Sequence, residues 1–233
     1  ASPIIVWFRQ DLRLLDNPAL WQACESGNII PVYILDDNSA GDWSMGGASR
    51  WWLHYALESL DKSLDNKLNI FNGDPLECLS HLAEVTSAKA VYWNRCYEPW
   101  RLARDMKLKA NLKQLGLEVK SFNGSLLWEP WEIVKKDQTP YKVFTPYFRR
   151  GCLGYVPPRK PLPAPKNIII PDKSECSLTL NNLDLLPKIN WDSTMQEIWS
   201  VDEQAAASLL NSFLAEGIAD YREGRNFPSK AHV

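Results

Sequence analysis

The residues with the clearest potential for chemistry follow the first predicted strand. Residues 4–13 read IIVWFRQDLR, so an apolar run leads directly into Arg9, Gln10, Asp11 and Arg13. A run rich in β-branched residues is typical of a parallel strand that is buried on both faces. Guanidinium groups placed there can pair with an anionic ligand, and a carboxylate can accept hydrogen bonds from ring N–H groups. The structural alternative is that Arg9 and Asp11 form a buried pair that braces the loop.

Two more polar segments follow predicted strands. Asp36 and Asp37 come directly after residues 29–35, and residues 94–98 follow the strand predicted at 88–93. In open parallel sheets, ligands bind beyond the carboxyl ends of the strands, where the strand order reverses. The chain has neither GxGxxG nor GxxxxGK[ST], which argues against a dinucleotide site and a P-loop. We therefore expect side chains, and not a glycine-rich backbone, to form any ligand site.

Strands and helices alternate through the first half of the chain. Asn17-Pro18 and Asp74-Pro75 pair a helix cap with a proline in the first turn, and residues 49–64 place Trp52 on an apolar helix face. Strands are predicted at 4–8, 29–35, 68–71, 88–93 and 117–122. This alternation predicts an α/β fold, an open five-stranded parallel sheet with helices on both faces.

The composition changes after the fifth strand. Residues 135–173 contain nine Lys or Arg against two Asp, together with many prolines. They predict an extended connector, either a solvated linker or a basic stripe that contacts phosphates. A helical pattern then begins at Asp202 and runs to Tyr221. We interpret residues 1–130 as an α/β domain, 131–200 as the connector and 201–233 as the start of a truncated helical domain.

The overall composition excludes several classes of protein. A net charge of −2 gives no general attraction to nucleic acid, so a polyanion would need a local basic face. The five cysteines include no CxxC pair, so metal binding is not expected. We expect the cysteines to be free thiols in a reducing cytosol. No apolar run reaches the length of a membrane span. Most of the eleven tryptophans should serve packing, while a few can stack on a flat ligand.

Five motifs together resemble the DNA photolyase/cryptochrome family. They are VWFRQDLRLLDNPAL at 6–20, ASRWWLHYALESL at 48–60, VYWNRCYEP at 91–99, YKVFTPYFRR at 141–150 and YREGRNFP at 221–228. Their order and spacing are those of the family, and they extend over nearly the whole chain. The sequence is most similar to bacterial photolyases that act on cyclobutane pyrimidine dimers.

The resemblance implies a light-driven DNA repair enzyme. In this family an α/β domain and a connector precede a helical domain that holds FAD, and the photoexcited flavin passes an electron to the dimer. The resemblance implies UV-damaged DNA as the partner, a cytoplasmic monomer, and no catalytic residue in this portion. The chain alone should therefore be inactive in repair.

The resemblance also implies a light-harvesting antenna in the α/β domain. Positions that match the wall of the antenna site are Arg9, Asp11, Leu35, Asp36, Arg50, Asn94, Glu98 and Trp100. Methenyltetrahydrofolate is the first choice, with 8-hydroxy-deazaflavin and FMN as alternatives. Trp100-Arg101 stand where the best-known folate site has an Asn-Glu pair, so Trp100 is either a stacking wall or a packing residue of the helix.

Further residues match the flavin and DNA sites of the family. Tyr221 matches a tyrosine beside the FAD phosphates, and Arg225 matches an arginine near the DNA backbone. Arg149 and Arg150 either extend the same basic rim or are ordinary surface charges.

Three other functions stay open at this stage. The first is a signalling photoreceptor of the cryptochrome type, which shares these motifs. The second is a stand-alone nucleotide- or flavin-binding module, and the third is a structural domain with an empty antenna site. The motifs do not distinguish a cyclobutane dimer from a (6-4) product as the lesion.

Overall fold

A computed structural model describes residues 2–230 of the chain. The described residues form two compact units. The first contains residues 2–42 and 67–177, and the second contains residues 43–66 and 178–230. Within residues 2–230, every helix is too short or too polar to cross a lipid bilayer.

The first unit is built on a five-stranded parallel sheet. Its strands are β1 (Ile4–Phe8), β2 (Ile29–Leu35), β3 (Asn69–Asn72), β4 (Ala90–Asn94) and β5 (Glu118–Phe122). The strand order is β3-β2-β1-β4-β5, and each neighbouring pair is parallel. The predicted sheet is therefore confirmed. The strand order reverses between β1 and β4, and ligands bind beside such a reversal in sheets of this type.

Two helices of this half begin at the predicted prolines, Pro18 and Pro75, whereas the helix predicted at 49–64 begins two residues earlier, at Gly47. They are α1 (Pro18–Ser26), α2 (Gly47–Ser63), α3 (Pro75–Thr86) and α4 (Pro99–Gln114), with α2 in the second unit. The Asn17 side chain accepts a hydrogen bond from the Leu20 N–H (3.1 Å), which caps α1. Asp74 accepts from the N–H groups of Leu76 and Glu77 and caps α3. Side-chain oxygens thus satisfy N–H groups that the first helical turn leaves free.

The apolar residues of the strands separate onto two faces. On β1, Ile5 and Trp7 belong to a buried cluster with Leu79 of α3 and Leu108 of α4. The alternate β1 residues point to the opposite face, where α1 packs on β1 and β4. Each fully buried leucine of this core contributes roughly 1.5–3 kcal/mol to stability. Helices on both faces hold the sheet edge where the polar loops begin.

Pro31 lies inside β2, which has neighbours on both sides. Pairing of β2 with β3 starts one residue later, at Val32 and Asn69, so no ladder bond requires a Pro31 N–H. The Asn69 side chain donates to the Pro31 carbonyl (3.2 Å). The position thus tolerates a proline because the edge strand is short.

The connector is tied to the first unit at several points. The Asp16 N–H donates to the Leu162 carbonyl (2.9 Å), and the Leu162 N–H donates to the Asp16 carboxylate (3.0 Å). Ile29 N–H donates to the Ile169 carbonyl (3.0 Å).

The sequence did not predict one helical segment in this region, formed by α5 (Phe144–Pro146) and a π-helical turn at Tyr147–Cys152.

The second unit contains α2 and the helices near the end of the chain. They are α6 (Ser193–Ile198), α7 (Glu203–Ser212) and α8 (Tyr221–Gly224), with a π-helical turn at Phe213–Gly217. The Asp202 side chain caps α7 by accepting from the Ala205 N–H (2.5 Å), as predicted. The predicted continuous helix to Tyr221 is interrupted after α7, and α6 was not predicted.

The buried face of α2 differs from the sequence pattern at one residue. Trp51 is only 1% exposed, whereas Trp52 is 41% exposed and meets the edge of Trp199, with ring centroids 5.6 Å apart. Residues three apart share a helix face, so Trp51 lies with the buried His54. Assigning Trp52 to the apolar face was therefore wrong.

Candidate functional site

A buried polar cluster lies where the strand order reverses. Asp11 accepts from the Arg9 N–H (2.8 Å) and from Asn94 Nδ2 (2.5 Å). Asn94 Nδ2 also donates to Asn17 Oδ1 (2.7 Å), and Asn94 Oδ1 accepts from the Ala19 N–H (3.1 Å). These bonds join the loop after β1, the start of α1 and the end of β4. The cluster therefore fixes the geometry of the sheet edge.

A glycine allows a second loop to approach this cluster. A Cβ atom on Gly124 would lie 2.7 Å from Asn94 Cγ, closer than real Cβ contacts. The Gly124 carbonyl also accepts a hydrogen bond from Arg13 Nη2 (2.7 Å). The segment after β5 is thereby held against the cluster.

The Arg9 guanidinium is engaged within the protein. Its Nη1 pairs with Asp105 Oδ2 (2.5 Å), and its Nη2 donates to the Asn94 carbonyl. Its Cζ lies 4.8 Å from the centre of the Trp7 ring, a cation–π distance. Since the side chain is only 3% exposed, Arg9 contributes mainly to the wall of the site.

A second arginine continues this ion-pair network. Arg104 Nη1 donates to Asp36 Oδ2 (2.9 Å), and Arg104 Nη2 donates to Asp105 Oδ1 (2.9 Å). Its Cζ lies 5.0 Å from the Trp7 ring centre and 5.2 Å from that of Trp100. Asp105 thus bridges Arg9 and Arg104.

Trp100 is the half-buried aromatic residue of this edge. The Arg101 Cζ lies 4.7 Å over its ring, and Arg101 is also 3.5 Å from Glu98 Oε1. Gln10 Nε2 donates to the same Glu98 oxygen (2.9 Å). Burial alone would raise the pKa of Glu98, but hydrogen bonds from its own backbone and from Gln10, with the nearby Arg101 charge, lower it overall. Glu98 is therefore a carboxylate near neutral pH.

The eight predicted antenna residues are divided between the two units. Arg50 belongs to the second unit, where its Nε donates to the Met45 carbonyl (3.2 Å). The other seven belong to the first unit and lie at or just beyond the carboxyl ends of the strands. Leu35 is the buried last residue of β2, and Asp36 follows it. Their roles toward a chromophore remain predictions.

Arg104 and Asp105 are not among the predicted site residues. Arg104 follows Trp100 by four positions on α4 and shares its helix face, so this spacing was the available signal for Arg104. Asp105 is the next residue and had no such signal. What the sequence does not show is that Asp105 pairs with Arg9, which is 96 positions away.

The predicted FAD and DNA residues occupy other parts of the fold. Tyr221 begins α8 and meets the edge of Phe213, with ring centroids 5.6 Å apart. The Arg225 Cζ lies 5.5 Å over the Tyr221 ring. Arg149 and Arg150 are exposed on the π-helical turn of the first unit. Their proposed ligands remain predictions.

Another polar network anchors the segment after β5 to the sheet. Arg95 Nε and the Tyr97 hydroxyl each donate to the buried Glu129 carboxylate at 2.9 Å. Burial and the hydrogen bond to Glu129 raise the pKa of Tyr97 to about 12.

Among the described residues, no group of three or more His, Cys, Asp or Glu is arranged to hold a metal ion.

The family model for DNA photolyase matches residues 4–166, which is most of the chain. The chain belongs to the DNA photolyase family. The deoxyribodipyrimidine photo-lyase of Agrobacterium fabrum is 42% identical over 234 residues, covering 98% of this chain and 48% of that protein. Cryptochrome-2 of Arabidopsis thaliana is 34% identical over 226 residues, covering 93% of this chain and 37% of that protein.

Solved photolyase-family structures show the same fold. A bacterial class III photolyase from Agrobacterium tumefaciens has 39% sequence identity and a TM-score of 0.90, with all of this chain and 48% of that chain aligned. A cryptochrome from Synechocystis has 26% identity and a TM-score of 0.83, covering 96% of this chain and 49% of that chain. The chain thus spans about half the length of these photolyase-family proteins.

Proposed function

We propose that this chain is the light-harvesting portion of a deoxyribodipyrimidine photolyase. In the complete protein, bound reduced FAD would supply light-driven electron transfer that splits a pyrimidine dimer in DNA and would take the electron back, with no net oxidation or reduction. The observation that carries the proposal is the 42% identity to a deoxyribodipyrimidine photo-lyase over 98% of this chain.

The antenna site of the proposal is the sheet edge around Trp100. Its aromatic face suits stacking with a flat ring, and Asp36 and Asp105 provide carboxylates for ring N–H groups. Arg9 forms part of the wall of this edge, and Arg104 adds positive charge for an anionic tail. Methenyltetrahydrofolate is the first candidate, and 8-hydroxy-deazaflavin and FMN are the alternatives.

Contacts to FAD and DNA come from other parts of the chain in this proposal. Tyr221 binds beside the flavin phosphates, and Arg225 contacts the DNA backbone. Arg149 and Arg150 also contact phosphate groups of the DNA. The dimer is turned out of the duplex to reach the flavin, as is required for chemistry on stacked bases. The protein acts as a monomer in the cytoplasm.

A second candidate function is blue-light signalling by a cryptochrome. The 34% identity to Cryptochrome-2 over 93% of this chain favours it as the alternative. Both functions share the α/β unit, so the antenna site has the same role in each. They differ in whether light restores damaged DNA.

The test is light-dependent repair by the complete gene product loaded with reduced FAD. Oligonucleotides that carry one cyclobutane dimer, and others that carry one (6-4) product, are illuminated with the protein and compared with dark samples. We expect repair of the cyclobutane dimer in the light only. Binding of flavin and DNA without repair of either lesion would contradict the proposal and favour signalling. The action spectrum tests the antenna, because a bound antenna adds a band that flavin alone does not give.

A further inference from the structure

Three cations lie around the Ser121 side chain on β5, the outer strand of the sheet. Lys109 Nζ donates to Ser121 Oγ at 3.5 Å, and Arg95 Nη1 donates to the same oxygen at 3.2 Å. Lys113 follows Lys109 by one turn on the same face of α4. Lys109 is about two and a half turns from Trp100, so the two residues lie on opposite sides of this helix.

Two of these cations lack an acidic partner. The Arg95 charge is balanced by Glu129, whose carboxylate accepts from Arg95 Nε at 2.9 Å. Within residues 2–230, neither Lys109 nor Lys113 forms an ion pair with a carboxylate. The two lysines therefore leave a local excess of positive charge. A phosphate group, with a charge of about −1.5 to −2 near neutral pH, would balance it.

The Ser121 hydroxyl also has a hydrogen atom to donate. A serine oxygen accepts through two lone pairs and donates one O–H, and here Lys109 and Arg95 occupy the two acceptor positions. The described part of the chain provides no acceptor for the remaining O–H. An oxyanion beside Ser121 would accept this hydrogen bond together with hydrogen bonds from the two ammonium groups. The arrangement is thus suited to an acceptor that carries negative charge.

The surroundings of Lys109 disfavour its charged form. Burial lowers the pKa of Lys109, and the nearby charges of Lys113 and Arg95 lower it further. An anion held between the two lysines would oppose these effects, because an opposite charge within a few ångströms favours the ammonium form. Anion binding should therefore decrease the fraction of Lys109 that is present as a reactive free amine.

We propose that Lys109, Lys113 and the Ser121 hydroxyl bind a dianionic phosphate group. The two ammonium groups balance its charge, and the hydroxyl donates to one of its oxygens, while Arg95 holds the Ser121 side chain in place. Inorganic phosphate and phosphomonoesters carry such a group, whereas each phosphodiester of a nucleic acid carries a single negative charge. The site lies away from the Trp100 edge and does not depend on the proposed photolyase activity.

The test measures how fast an N-hydroxysuccinimide ester acetylates individual lysines of the complete gene product, with mass spectrometry of its peptides as the readout. Rates in inorganic phosphate are compared with rates in chloride at equal ionic strength, because salt screening acts on every exposed lysine. We expect phosphate to slow the acetylation of Lys109 at least about threefold. Lys107 is exposed on the same helix and should react at the same rate in both solutions.

Matched variants separate the contributions of the hydroxyl and of the charge. Ser121→Ala removes the hydroxyl but neither lysine, and it should remove most of the protection of Lys109 by phosphate. Ser125→Ala deletes an exposed hydroxyl from the following loop and should leave the protection intact. Lys113→Gln should reduce the protection, whereas Lys113→Arg keeps the charge and should retain it.

Three results would overturn the inference. The first is an equal rate for Lys109 in phosphate and in chloride, and the second is full protection of Lys109 in Ser121→Ala. The third is stronger protection by undamaged duplex DNA than by inorganic phosphate at equal phosphorus content, which would assign the site to phosphodiesters. These rates are measured without light and without damaged DNA, so failure of the inference and failure of the proposed function are distinguishable.

Discussion

Asn94 Nδ2 donates to Asp11 Oδ2 over 2.5 Å and joins the end of β4 to the loop after β1 across 83 positions of sequence. The same amide group also binds Asn17 and the Ala19 N–H. One neutral side chain thus donates and accepts at the centre of a buried cluster. An amide suits this position because it offers both kinds of group.

Asn94→Asp should destabilise the chain strongly and in a pH-dependent way. The change replaces a donor with a second carboxylate beside Asp11, and we expect the free energy of unfolding to fall by on the order of 3 kcal/mol near neutral pH. Repulsion between the two close carboxylates raises the pKa of one of them in the folded state. The folded state therefore binds a proton that the unfolded state releases, so the loss should shrink as pH falls toward about 4. Urea unfolding across this pH range measures the effect.

The control for this change is Asn72→Asp, at the exposed end of β3. It makes the same chemical change outside the cluster and should alter stability by less than about 0.5 kcal/mol. If Asn94→Asp were equally mild at neutral pH, the cluster would not be held by the Asn94 amide.

Gly124→Ala should destabilise the same cluster by steric overlap. The new methyl group would lie 2.7 Å from Asn94 Cγ and 2.8 Å from Asn94 Cβ. We expect a loss of roughly 1–3 kcal/mol, typical of overpacking in a dense interior. Gly46→Ala is the control, since no atom lies within 4 Å of its added Cβ. Chemical denaturation compares the two variants, and equal midpoints would show that the loop after β5 yields to the methyl group.

His54 should make stability depend on pH. Burial lowers its pKa from the usual 6.5, although Glu58 opposes the shift. The unfolded chain therefore takes up a proton more readily than the folded chain as pH falls through about 6.5, so the free energy of unfolding should decrease until the folded pKa is passed. His54→Gln should flatten this dependence, while His81→Gln on the exposed side of α3 should retain it. Urea midpoints between about pH 8 and pH 5 provide the test.

Trp100→Ala should weaken antenna binding in the complete protein. Loss of a stacking face costs roughly 1–3 kcal/mol per ring, so the dissociation constant of the antenna should rise about 5- to 150-fold. Trp43→Ala removes an indole that is 80% exposed and should have no such effect. The readout is the antenna absorption retained after gel filtration. Full retention by Trp100→Ala would mean that Trp100 only packs on its helix.

The sequence was informative where interactions are local. Asn17-Pro18 and Asp74-Pro75 marked the starts of α1 and α3, because a cap and the first helical turn lie within four residues. The apolar runs marked the strands, because buried parallel strands need apolar residues on both faces.

The sequence does not show which polar residues pair with each other when they are far apart along the chain. The loop after β1 was predicted to lie at the ligand edge, but nothing local shows that Arg9 pairs with Asp105. The two adjacent tryptophans of α2 posed a similar problem. Both suit an apolar face, and only tertiary packing selects Trp51 for burial.

The connector also covers the outer side of the edge strand β3. The Ile70 N–H donates to the Ser177 hydroxyl (2.9 Å), and the Ser174 N–H donates to the Asn69 side chain (2.9 Å). An open strand edge is a template on which a second chain can add its own strand. Residues 174–177 therefore block this strand edge. We expect a chain that is shortened to end before residue 174 to aggregate through pairing of its exposed β3 edges.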